Sequence, residues 1–336
     1  MKSRYGLFLS ILALAAPGAH SQSQPPLKLV QTFKMPTDVK GHFDHVTVDV
    51  AGHRLFATPE DYEAVEVFDL DRGQIIHIMK GIGRPHAVLY RPDLDRIYVT
   101  DGEAGEVKIF DGKNYDLIKS VKLEVDTDSI GYDPATKLLY VDNGGGDAHQ
   151  SYSMFSIVDT TAGEKVADLK IDGDTLEAMA LETSGPRIYV NNRAKNQVAV
   201  VDRQARKLVE SWPVTLGKVN VAMAFDEANH RLFVGCRSGH IVVLDTASGK
   251  ELQALPITKG VDDLVYDPGR KRLYAACDGA VDVYEQTDPD HYKSLGKVAT
   301  GPAAKTATLV SQLNRYFVAM PQHGSTPAEI QVFEVQ

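Results

Sequence analysis

One phrase, written seven times, constrains this chain more than any other feature. It reads "HRLFATPE" from His53, "DRIYVTDG" from Asp95, "KLLYVDNG" from Lys137, "PRIYVNNR" from Pro186, "HRLFVGCR" from His230, "KRLYAACD" from Lys271 and "NRYFVAMP" from Asn314. The copies recur every forty to fifty residues, roughly the length of one four-stranded blade. Each follows a strand-like run that ends near an acid or turn pair, as in "SIGYDPAT" or "DLVYDPGR". Each precedes an alternating run such as "EVKIFDG" or "QVAVVDR", and then a fourth run such as "QIIHIMK". Four runs, seven times over, predict an all-β chain folded as a seven-bladed β-propeller of four-stranded blades.

The ends fit that count. The seventh copy stops after its third run, "EIQVFEV", whereas "LKLVQTFK" at Leu27 to Lys34 stands alone before the first copy. Pairing the orphan as the outer strand of the last blade joins the two ends and removes an open edge. The sequence therefore predicts an N-terminal strand that closes the seventh blade.

Ahead of that strand, "MKSRYGLFLSILALAAPGAHSQSQ" places Lys2 and Arg4 before an apolar stretch and then small residues, with Ala19 and Ser21 at the −3 and −1 positions of a cleavage site. Residues 1–21 read as a signal peptide and residues 22–336 as the propeller. The expected location is periplasmic or secreted, with no membrane span in the mature chain. Losing Lys2 and Arg4 takes the formal charge from −9 to about −11, which sets the protein against nucleic-acid backbones and anionic membranes. Cys236 and Cys277 are the only thiols, no CxxC spacing is present, and the two are expected to remain buried and unpaired.

The runs "YVTD", "YVDN" and "YVNN" resemble the YVTN repeat, and the chain resembles a secreted WD40-like propeller of the YncE-like family. In blades 1, 5, 6 and 7 the motif gives way to "FATP", "FVGC", "YAAC" and "FVAM". The resemblance implies a periplasmic or secreted binding protein. Some relatives are linked to nucleic acid, a link the acidity here opposes.

In an up-and-down blade the start of the inner strand and the end of the second strand fall on one face, around the channel mouth. The inner-strand positions there are Asp44, His86, Asp128, Glu177, Val221, Asp262 and Thr306, with His45 and Lys305 beside them. Carboxylates so close repel unless a cation, protons or Lys305 compensates. The second strands and loops add Asn192, His149, Arg193 and Arg237. The loop Asn143 to Met154 is longer than its counterparts and is expected to form a lid. Ligand-binding residues are thus expected at Asp44, His45, His86, Asp128, His149, Glu177, Asn192 and Asp262. The cofactor the ring would accept is a divalent metal on Asp44, His86, Asp128, Glu177 and Asp262, although no spacing matches a compact ligand motif.

Structural roles take up most other polar residues. Asp49, Asp69, Asp111, Asp133, Asp159, Asp202, Asp226, Asp245 and Asp267 sit at strand ends, where aspartate caps a turn. The aromatic of each phrase is expected in blade-to-blade packing. With no nucleophile elbow and no phosphate loop, the leading expectation is a monomeric, non-catalytic protein that binds a small molecule, peptide or protein partner at the channel mouth. The alternatives are a metal-assisted hydrolase or lactonase resembling gluconolactonase-type propellers, and a surface-adhesion or scaffold module.

Overall fold

A computed structural model describes residues 24–336 as seven four-stranded antiparallel sheets and four single-turn 3-10 helices. The signal-peptide segment lies outside the described residues. The sheets run in chain order over residues 43–80, 85–122, 130–172, 176–213, 220–256 and 263–299, called here blades 1 to 6. Blade 7 takes its first three strands from residues 306–335, and its outer strand is Leu27–Lys34, antiparallel to Glu329–Val335, with Leu27 opposite Val335 and Lys34 opposite Glu329.

Side-chain alternation makes the strands and their packing. Within each phrase the aromatic lies on a blade face, and Phe56, Tyr98, Tyr140, Tyr189, Phe233, Tyr274 and Phe317 are all buried. They belong to seven apolar clusters, most of them seated between two neighbouring blades; Phe56 and Val67 of blade 1, for instance, share a cluster with Val88 and Val99 of blade 2. Removing a side chain of this size from water stabilises by about 1.5–3 kcal/mol, so the repeated aromatic carries much of the ring's cohesion. Among the described residues no helix is long and apolar enough to cross a membrane.

Aspartates end the strands. Oδ1 of Asp69 accepts from the backbone N–H of Asp71 and Arg72, and Asp111, Asp159 and Asp202 repeat the pattern two and three residues on. Asp49, Asp133, Asp226, Asp245 and Asp267 likewise accept backbone N–H groups in the turns that follow them. All nine are turn caps, which leaves them outside the binding chemistry.

First strands line the axis. Those of blades 1 and 2, 3 and 4, 4 and 5, 5 and 6, 6 and 7, and 7 and 1 lie against each other. Their N-terminal ends meet at one mouth of the channel.

Candidate functional site

β-Bulges in blades 1, 2 and 4 aim polar side chains into that mouth. In blade 1 Phe43 faces Pro59 and Val46 faces Ala57, so Asp44 and His45 together oppose Thr58. In blade 2 His86 and Ala87 oppose Thr100, and in blade 4 Glu177 and Ala178 oppose Asn191. Two residues against one is the bulge geometry, which bends a strand and redirects its side chains. Buried polar groups pin it. The Thr58 hydroxyl lies 2.8 Å from His45 O and 3.0 Å from His86 O, Thr100 Oγ1 accepts from Ala87 N at 2.8 Å, and Asn191 Nδ2 donates to Val221 O and Ala222 O.

The resulting cavity has a volume of about 300 Å³, and Asp44, His45, His86, Asp128, Glu177 and Asp262 all line it. Two expected members are elsewhere. Asn192 is buried and bonded away, its amide donating to Asp172 O and its Oδ1 accepting from Lys195 N. The residue that ends the second strand thus caps the following turn, and its neighbour Arg193 reaches the cavity instead. His149 borders a second cavity, of about 570 Å³, which shares only Glu60 with the first.

The expected lid does not exist as such. Strands Leu138–Gly144 and Tyr152–Asp159 run into that segment and pair Asn143 with Met154 and Gly144 with Ser153, which leaves only residues 145–151 outside strands. The Asn143 amide is buried, donating to Ser156 Oγ at 2.9 Å and accepting from Glu124 N at 3.1 Å. Gly146 N donates to Asp174 O at 2.9 Å, so the remaining loop is tied to the entry of blade 4 and flanks the second cavity.

Sequence reasoning overlooked Glu60. It lines both cavities and is the last letter of the blade 1 phrase. The same letter in blades 4 and 5 is Arg193 and Arg237, which line the first cavity too, so the aligned column carried the signal.

Charge compensation divides the ring. On one side Arg193 Nη1 pairs with Glu177 at 2.9 Å, Arg237 Nη2 pairs with Asp262, and Lys305 Nζ lies 2.7 Å from the other oxygen of Asp262. Glu177 and Asp262 therefore already have cations, which removes them from the expected metal set. On the other side the compensation is by histidine. His86 Nδ1 lies 2.5 Å from Asp44 Oδ2, His45 Nδ1 lies 3.1 Å from Asp263 Oδ1, and His45 Nε2 lies 3.4 Å from Asp44 Oδ1.

These neighbours move the proton equilibria. Burial acts to raise Asp44, but His45 and His86 outweigh it and hold the carboxyl at about 2. Burial, with the charges of Asp44 and Glu177 overcoming the opposing pull of His86, pushes Asp128 up to about 8. Burial acts against charge on His45, yet Asp44 and Asp263 raise the ring well above the ordinary histidine range. Burial likewise opposes charge on His86, while Asp128 and Asp44 outweigh it and act to push the ring up to about 10. There the contacts decide, because Arg84 Nε donates to His86 Nε2 at 3.1 Å and that nitrogen must offer a lone pair. His86 is accordingly the neutral ring with its proton on Nδ1, donating to Asp44.

Below the ring, Asp142 holds the position that Thr58, Thr100 and Asn191 hold in their blades. It is buried with neither carboxylate oxygen partnered, and burial and the charges of Asp128 and Glu177 raise it well above the usual carboxylate range. Cys236 and Cys277 are free and buried, and burial pushes the Cys236 thiol up to about 12, which makes it unreactive. His323 borders a separate cavity between blades 6 and 7, and His240 lines neither the central cavity nor the one beside it.

No family model matches the chain. It is 34% identical over 117 residues to the uncharacterized protein YncE of Salmonella typhi, an alignment covering 34% of this chain and 32% of the relative. The YncE of Salmonella typhimurium is 33% identical over the same length and share. The seven-bladed beta-propeller protein Rv1057 of Mycobacterium tuberculosis is 25% identical over 122 residues, 36% of this chain and 31% of its own. The alignments thus span about a third of the curated relatives' length. A chain from the crystal structure of the mitotic checkpoint complex superposes with a TM-score of 0.73 at 13% identity, covering 100% of this chain and 99% of that one. At that identity the likeness shows the fold alone.

Proposed function

We propose that this YncE-like seven-bladed propeller is a non-catalytic binding protein of the periplasm or the cell exterior that takes a small anionic ligand, a carboxylate or a phosphate, at the channel mouth. One observation carries the reading. Arg193, Arg237 and Lys305 converge on the central cavity from blades 4, 5 and 7, and each keeps N–H donors beyond the one it gives to its carboxylate. Arg237 Nε is buried without a hydrogen-bond partner, and a buried donor left unmade costs about 1–3 kcal/mol, so an acceptor from a ligand fits there. Arginine matches carboxylate and phosphate with two parallel donors. A cavity of about 300 Å³ suits a small molecule better than a folded partner.

Export rests on the leader at residues 1–21. The formal charge of −9, with Asp61, Glu63, Glu103 and Asp147 around the neighbouring cavity, opposes a nucleic-acid partner. Calorimetric titration with a panel of small carboxylates and phosphates tests the reading. Binding should weaken by roughly tenfold or more in Arg237→Ala, the loss expected for a charge-assisted hydrogen bond. A panel without a binder, or full affinity in that variant, overturns it.

The second reading is a metal-assisted hydrolase or lactonase, and the clustering of Asp44, His45 and Asp128 beside the cavity is what favours it. Hydrolysis of simple lactones, assayed with and without added divalent metal, decides between the two.

A further inference from the structure

We propose that Asp44, His45 and Asp128 form a binding site for a first-row divalent cation of the zinc or manganese class, with His45 ligating through Nε2. The inference goes beyond anion binding by the Arg193 side of the cavity and does not depend on it.

One ligand atom from each of the three residues lies within 4.8 Å of the others. The separation of His45 Nε2 from Asp44 Oδ1 is 3.4 Å, which is about the edge expected between two ligands bound at 2.0–2.2 Å on a tetrahedral ion. The mixed set of one imidazole and two carboxylates suits zinc or manganese better than calcium or magnesium, which favour oxygen throughout.

The surrounding hydrogen bonds are those a metal site needs. Ligating histidines donate their second nitrogen to a carboxylate or carbonyl, and this fixes the tautomer. His45 Nδ1 does so to Asp263 Oδ1 at 3.1 Å, and Asp263 is itself held by Ala307 N on its other oxygen at 2.7 Å. Nε2 is left on the Asp44 side, where an incoming cation displaces its proton to solvent. Asp44 is oriented in the same way, with His86 Nδ1 donating to Oδ2 and Oδ1 left on the His45 side. His86 cannot be the ligand, because its Nδ1 carries the proton it gives to Asp44 while its Nε2 accepts from Arg84. That excludes the neighbouring grouping of Asp44, Glu60 and His86 as a site in this arrangement.

A second, independent observation is Asp142. Its carboxylate is buried and unpartnered in the second strand of blade 3, where Asp128 N donates to its backbone oxygen at 3.1 Å. Asp44, His45 and Asp128 also line the cavity, so the remaining coordination positions open to water or to a ligand.

The test uses the full mature chain stripped with a chelator, and the probes are Zn²⁺ and Mn²⁺ alone, with no organic ligand present. One equivalent of at least one ion should bind and survive dialysis, read by calorimetry and elemental analysis. His45→Gln and Asp128→Asn should each lose affinity by roughly 100-fold or more, and Asp263→Asn, which repositions His45 without touching the ion, by about 10- to 100-fold. His291→Ala, on the far outer strand of blade 6, should bind as the parent does. Substoichiometric binding of both ions, or parental affinity in His45→Gln, overturns the proposal. If His45→Gln fails to fold by circular dichroism, Co²⁺ titrated into the parent replaces it. Visible bands of a nitrogen- and oxygen-ligated ion support the site, and their absence overturns it. Because no organic ligand is present, a negative result here leaves the anion-binding reading standing, and the converse also holds.

Discussion

Arg84 Nε sits 3.1 Å from His86 Nε2 and so fixes the protonation of a ring that two carboxylates would otherwise charge. Arg84 is held in place by Asp126 at 2.7 Å and Asp147 at 2.9 Å, which ties the wall of the second cavity to His86 of the ring through one guanidinium. Gly102 permits the contact, since a Cβ there would stand 2.6 Å from His86 Nε2 and 3.3 Å from Arg84 Nε. Gly102→Ala is therefore expected to separate the pair and let His86 take a second proton at neutral pH. Ring nitrogen chemical shifts check this: a neutral Nδ1–H tautomer in the parent and an imidazolium in the variant. Identical shifts in the two proteins would contradict the assignment.

Glu66 gives the stability a pH dependence of known sign. It is fully buried in the third strand of blade 1 with neither oxygen partnered, and burial, reinforced by Asp38, pushes it up to about 7 from an ordinary 4.5. The native state holds this proton more tightly than the unfolded chain. Stability is thus lost as pH rises from about 4.5 to about 7, by about 3 kcal/mol for this group, and levels off above. Glu66→Gln should be the more stable protein at pH 8 and should remove most of that slope, measured by urea unfolding at pH 5 and pH 8. A parent whose stability rises across this interval while the variant stays flat would show the sign to be wrong.

Asp142 should be improved by amidation. Asn191, at the same position in blade 4, uses its amide to donate to two carbonyls of the next blade, whereas Asp142 has no partner. Asp142→Asn is expected to stabilise the metal-free protein by about 1–3 kcal/mol, read as a melting temperature higher by a few degrees. The converse change, Asn191→Asp, should lower it.

The N-terminal strand acts as a clasp through Phe33. Its ring stacks on Phe68 of blade 1 at 5.8 Å and lies 6.5 Å from Phe317 of blade 7, inside the apolar cluster between those blades. Phe33→Ala should cost about 3–5 kcal/mol, and deleting residues 24–34 should cost more, because it also bares the edge of Glu329–Val335. Chemical denaturation measures both. An unchanged midpoint for either variant would remove the strand from any closing role.

The blade count, the strand runs and the aromatic that packs between blades were legible because they repeat. A phrase such as "RIYV" meets the same local environment in every blade, so its pattern survives as a period in the sequence. The ring positions Asp44, His86, Asp128, Glu177 and Asp262 were legible for the same reason, as one column of the repeat. Asn192 and the segment Asn143 to Met154 misled because their destinies were set by single hydrogen bonds, to Asp172 O and to Ser156 Oγ, which no period encodes.

What the sequence by itself determined is the architecture: seven blades, their strand order, and the inner-strand column that faces the channel mouth. Only the tertiary structure decided how those residues are partnered. His45 meets Asp263 across 218 residues of chain, Arg84 meets Asp147 across 63, and the bulge at Asp44 and His45 depends on Thr58 bonding into the next blade. Periodic burial is a local property, written every few residues by side-chain alternation. Charge pairing depends on distances of a few ångströms between blades, and those distances exist only once the ring has closed.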